Sequence, residues 1–119
     1  MRSARQIFIA IYWALDAAFE KFESDGLRLM LSDMNPFLWQ EGESADRAVW
    51  ADYLDGFRKE FGGNAATDAA SLPFAQAYVK KQEEHYRTIY PDGPSYVSAF
   101  DSVANEGNWS ELLDKCPVD

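Results

Sequence analysis

The sequence predicts an all-α fold, a compact bundle of five or six helices in a single domain over residues 1–119. Three observations carry the prediction. Apolar side chains recur at helical spacing through most of the chain, and no segment alternates apolar and polar residues between hairpin turns. Turn formers at Asn35-Pro36, Gly62-Gly63 and Pro91-Asp92-Gly93-Pro94 separate the periodic stretches. A chain of 119 residues fits one core and is too short for two of ordinary size. With 47% apolar residues and eighteen aromatic side chains, burial offsets the entropy of ordering the chain.

Ser3 is placed to cap a first helix running to about Glu23, with Ile7, Ile11, Ala14, Ala18 and Phe22 on one stripe, widened by Phe8, Leu15 and Phe19. The opposite face carries Asp16, Glu20 and Glu23, but also Ile9 and Trp13, so the first half of this helix is apolar all round. That implies either a central helix covered on both sides or an exposed patch. A short helix from Leu27 to about Asp33 follows Ser24-Asp25-Gly26 and is closed by Asn35-Pro36, because the residue before proline is pushed out of the α region. Ser44 or Asp46 caps a third helix that buries Trp50, Tyr53, Leu54, Phe57 and Phe61 and stops at Gly62-Gly63. Residues 63–71, GNAATDAAS, read as a flexible linker. A fourth helix starts near Ser71 with Pro73 in its first turn and turns Ala75, Tyr78, Val79, Gln82, Tyr86 and Ile89 inward. Ser95 caps a fifth helix using Tyr96, Val97, Phe100 and Val103, and Asn108 with Glu111 has the spacing of a capping box for a last short helix with Trp109, Leu112 and Leu113.

The net charge of −9 repels phosphate backbones and anionic lipid, so no nucleic-acid or membrane partner is expected and a basic protein partner is favoured. Residues 16–55 alone hold ten carboxylates against Lys21, Arg28 and Arg47. Cys116 is the only cysteine, which excludes an internal disulfide and a thiolate zinc cluster and points to a cytoplasmic protein with a free surface thiol in a frayed tail. Arg2 and Arg5 ahead of the apolar run from Ile7 to Leu15 imitate a secretory signal. However, Asp16 follows directly, no small-x-small cleavage site is present, and the helical register continues.

Catalytic chemistry finds little support. The one histidine, His85 in QEEHYR, has no second histidine for a carboxylate-bridged metal pair, and Gln82 stands where a Glu-x-x-His ligand would be. Neither a phosphate-binding loop nor a nucleophile elbow occurs. Glu41-Gly42-Glu43-Ser44-Ala45-Asp46 lacks the ligand order of a calcium loop. No cofactor, metal or catalytic residue is assigned, and the chain is expected not to be an enzyme.

The stretch SDMNPFLWQEGESAD, residues 32–46, sets Phe37, Leu38 and Trp39 among carboxylates and turn formers. Either the aromatic side chains fold back as a lid over the bundle, or one of them stays near the surface as an anchor inside a ring of acids. The run LSDMNPFLWQEGESADRAVW, with a hydrophobic helix before it and FAQAYVKKQEEHY after it, resembles a family of small bacterial all-helical proteins with an LSDxNPFxW-like segment followed by SAD. The resemblance covers residues 15–90, implies a single bacterial domain, and carries no activity or site residue across.

The expected function is that of a non-enzymatic acidic binding protein, an immunity or antitoxin-like inhibitor of a basic protein. Its anchors are Trp13, Phe37 and Trp39, and its steering charges are Asp16, Glu20, Asp33, Glu41, Glu43 and Asp46. Two alternatives stand beside it: a self-associating structural protein, a homo-oligomer joined through Ile9 and Trp13, and a small-molecule binder using the bundle interior between the first and fourth helices near Tyr12, Tyr78 and Tyr86.

Overall fold

Among residues 1–37 and 44–117, those described by the computed structural model, the chain forms six helices and one pair of two-residue strands. Strand β1 (Arg2–Ser3) leads into α1 (Ala4–Ala18), followed by α2 (Asp25–Met34), α3 (Arg47–Phe61), β2 (Ala65–Ala66), α4 (Asp68–Tyr86), α5 (Tyr96–Val103) and α6 (Trp109–Lys115). The predicted all-α bundle is the observed architecture. Leu38, Trp39, Glu41 and Glu43 lie outside the described residues.

Helix α1 is the axis of the molecule. Ile7, Phe8, Ile9, Ala10 and Ile11 are all fully buried, and five consecutive residues turn through more than 360° of a helix, so neighbours cover it on every side. Those neighbours include α2, α4, α5 and α6. Of the two alternatives for the first helix, the covered one is correct, and Ile9 is not available for the predicted two-fold contact. Ser3 caps α1 through Gln6 N–H while the Gln6 side chain returns to Ser3 N–H, both at 3.1 Å. The helix ends at Ala18, not near Glu23: Phe19 and Lys21 N–H bond the carbonyls of Asp16 and Ala18, three residues back, and residues 19–21 tighten into a turn.

The second helix starts two residues before its expected position, capped by Ser24, and it ends at Asn35, whose ψ of 110° takes it out of the helical region ahead of Pro36. Asp46, one of the two candidate caps, starts α3, and Gly62 closes that helix at φ 72°. An aromatic cluster joins α3 to the core: Tyr53, 1% exposed, has Phe8, Trp50, Phe74 and Tyr78 rings within 6 Å and donates its hydroxyl to the Ala4 carbonyl at 2.7 Å.

Residues 63–71 are not a linker. Ala65 and Ala66 pair antiparallel with Ser3 and Arg2, Thr67 caps α4, and that helix begins at Asp68 rather than Ser71. The Arg2 guanidinium holds Asp68 with two hydrogen bonds, at 2.9 and 3.1 Å, and reaches Asp114 of α6 at 2.5 Å, clasping both ends of the chain. Ending α4 at Tyr86 leaves Ile89, expected inside, 52% exposed. The anticipated Asn108 capping box is absent, since that amide accepts from Asn105 N–H and donates to the Val103 carbonyl. Cys116 is buried beneath the end of α6, not on a frayed tail.

Candidate functional site

The sequence Asn35-Pro36-Phe37 builds a pinned projection. Asn35 Oδ1 accepts from Phe37 N–H at 3.0 Å, an Asx turn closed over the buried Pro36. This turn aims the Phe37 ring at the two aromatic residues where α1 emerges from the core. The ring stacks on Trp13 (centroids 6.3 Å apart, planes 25° apart) and meets Tyr12 edge on at 6.1 Å. Phe37 nevertheless stays 50% exposed. It is therefore neither swallowed as a lid nor free: it covers part of Trp13, which is half-buried, and presents its other face to water. Asp16 is exposed one turn along α1, close enough to Tyr12 that its charge adds to burial in raising the Tyr12 hydroxyl pKa. Glu20 follows, exposed, in the turn after α1.

The structure gives Asp33 and Asp46 other partners. Asp33 accepts the Tyr86 hydroxyl at 2.8 Å, and its backbone carbonyl accepts Asp46 N–H at 3.0 Å. Asp33 and Asp46 are thus brought together at the mouth of a cleft of about 300 Å³ between α2, α3 and α4, shared with Asp52, Lys81 and His85. Buried Ser44 braces this corner, accepting Trp50 N–H at 2.9 Å and donating to the Asp46 carbonyl. Burial first, then the Asp33 hydrogen bond and the charges of Asp33 and Asp46, hold the Tyr86 hydroxyl protonated far above the ordinary tyrosine range. The cleft that reaches Tyr86 is not the anticipated one between the first and fourth helices: neither Tyr12 nor Tyr78 lines it.

Of the predicted binding residues, Trp13 and Asp16 of α1 join Phe37 in one group, and Asp33 of α2 joins Asp46, the cap of α3, in another. Tyr12, expected beside an interior pocket, belongs to the aromatic group instead; its position next to Trp13 at the polar end of α1 is the signal in the sequence. The part played by Asp52 and Lys81 has no such local signal, because it depends on how α3 and α4 pack. His85 is an exposed helix-edge residue whose ring lies edge on to Tyr86 at 5.0 Å. Among the described residues, no group of three or more His, Cys, Asp or Glu side chains is gathered to hold a metal ion, and no helix is long and apolar enough to cross a membrane.

No family model, curated protein or solved structure matches this chain.

Proposed function

We propose that this chain is a binding protein that docks a basic protein partner, in the manner of an immunity or antitoxin-like inhibitor, with Phe37 as the anchor on its Trp13 and Tyr12 platform. The observation that carries the reading is a large aromatic side chain, 50% exposed, held in place by an Asx turn and a ring stack. A pre-ordered anchor loses little conformational entropy on binding. Covering the remaining half of the ring, on the order of 100 Å², is worth about 2 kcal/mol. Asp16 and Glu20 beside this group, with Glu41 and Glu43 of the adjoining segment, supply the field that would draw in a basic surface and repel an acidic one. The reading includes Trp39 as a second anchor and a cytoplasmic setting.

The experiment begins with capture of partners from an extract of the source cells, followed by affinity measurement with the purified partner. A basic partner whose binding to Phe37→Ala falls about tenfold or more supports the assignment. Equal affinity for wild type and Phe37→Ala overturns it.

A further inference from the structure

We propose that the cleft between α4, α5 and α6 is a binding site for a small organic cation with an apolar body, an arylalkyl amine or guanidine. The cleft encloses about 550 Å³, within the range of small-molecule sites. It shares no residue with the Phe37 group and does not depend on that reading.

Its floor is apolar and closed. Leu72, Ala104 and Trp109 are 6%, 0% and 2% exposed, and Pro73 forms one wall. The walls are also fixed before any ligand arrives. The Trp109 indole N–H donates to Ser71 Oγ at 2.9 Å, and the Ser71 hydroxyl donates to the Asp68 carbonyl at 2.9 Å. The turn between α5 and α6 is closed by its own side chains, with Asn105 N–H on Asn108 Oδ1 at 2.8 Å and Gly107 N–H on Asn105 Oδ1 at 2.9 Å. The indole locked in this way closes the floor of the cleft, and no part of that floor has to be ordered when a ligand binds.

The charge of the lining selects the ligand. It contains Asp68, Asp101 and Glu106 and no lysine, arginine or histidine. Asp68 is neutralised by Arg2 and also accepts the Ser110 hydroxyl at 2.8 Å. Asp101 takes only the Gln76 amide, at 3.2 Å, and Glu106 is exposed at the rim. Two exposed carboxylates thus stand at the rim of a cleft with an apolar floor and no basic residue in its lining, an arrangement that disfavours an anion and complements one positive head group on a hydrocarbon or aromatic body.

The test is a titration of the ¹⁵N-labelled protein with 2-phenylethylamine, using 2-phenylethanol as the neutral isostere. Support consists of a saturable shift of the Trp109 indole N–H signal, binding of the alcohol about tenfold weaker, and a loss of amine affinity of about fivefold or more in Asp101→Asn/Glu106→Gln. Both replaced side chains are exposed, so the variant keeps its fold, which an unchanged remainder of the spectrum verifies. A Trp109 signal unmoved by about 10 mM amine, equal binding of amine and alcohol, or a variant that binds the amine as wild type does would each overturn the proposal. An arginine-containing hexapeptide that saturates the cleft where the amine does not would overturn it too, making the surface part of a protein interface.

Discussion

Replacing Gly26 by alanine is expected to destabilise the protein by about 1 kcal/mol, and the cost resides in one side chain. A Cβ at Gly26 falls 1.9 Å from the Tyr96 hydroxyl oxygen, 3.2 Å from its Cζ and 3.4 Å from Tyr90 Cβ. Tyr96 cannot swing aside. It is 1% exposed, its N–H donates to Glu83 Oε1 at 2.9 Å, and the Arg87 guanidinium lies over its ring at 5.3 Å. Arg87 is itself held by Glu83 at 2.6 Å and by the carbonyls of Pro91, Gly93 and Pro94. Forcing such a contact costs roughly 1–3 kcal/mol, and the helix propensity gained over glycine returns at most about 1 kcal/mol. Removing the hydroxyl in Tyr96→Phe relieves the closest contact and gives up only a poorly formed hydrogen bond with Ser24, so the single variant should be nearly neutral. Denaturant unfolding of the four proteins of this cycle should give a favourable coupling of about 1 kcal/mol or more between the two substitutions. If Gly26→Ala costs the same with Tyr and with Phe at position 96, the docking of α2 on the start of α5 has been misread. That docking matters for the proposed site because α2 carries the Phe37 turn at its far end.

Two further outcomes follow from the clasp and the tail. The Arg2 hydrogen bonds hold the Asp68 carboxyl below its ordinary pKa, so the stabilisation is complete above the usual carboxylate range and is lost as pH falls through the depressed value. Asp68→Asn should therefore be less stable than wild type by about 1 kcal/mol at neutral pH, with the gap closing in thermal melts as the pH falls below the ordinary carboxylate range; a gap independent of pH would refute the pairing. Burial raises the Cys116 thiol pKa to about 11, and Sγ donates to the Leu112 carbonyl at 3.3 Å. A disulfide reagent at about pH 8 should then label the native protein at least about a hundredfold more slowly than the unfolded chain, and rapid native labelling would place the tail in solvent.

Local chemistry made much of the bundle legible. Ser3, Asp46 and Ser95 cap the helices they were expected to cap, because a side chain bonding an N–H two or three residues ahead is decided within one turn. The failures share a longer range. Two-residue strands carry no alternation, so the pairing of Arg2 and Ser3 with Ala66 and Ala65 left no trace, nor did a salt bridge between residues 66 apart. The position of Cys116 near the chain end suggests a surface thiol, whereas α6 buries Trp109 and Leu113 and takes the thiol in with them. The candidate site divides in the same way. The Asx-Pro turn under Phe37 is written in three adjacent residues, but its seat on Trp13, 24 positions earlier, and the capture of Asp33 by Tyr86 are set by packing alone.

Anchor and steering charge make different kinetic predictions at the Phe37 surface. Half of the Phe37 ring is already in water, so Phe37→Ala should cost the free protein only about 1 kcal/mol of stability while removing the apolar area a partner would cover. Its effect on binding should therefore fall on dissociation, which speeds up, with association nearly unchanged. Asp16 and Glu20 are exposed and in water of high dielectric, so each contributes little to the energy of the docked state. Their field nevertheless reaches about 8 Å at physiological ionic strength, which is enough to guide approach. Asp16→Asn/Glu20→Gln should slow association several-fold at low salt, leave dissociation nearly untouched, and lose its effect as salt is raised toward 1 M. Surface-plasmon kinetics across a salt series separates the two roles. If the charge variant changes only dissociation, or its effect survives high salt, those carboxylates are direct contacts and the steering argument fails.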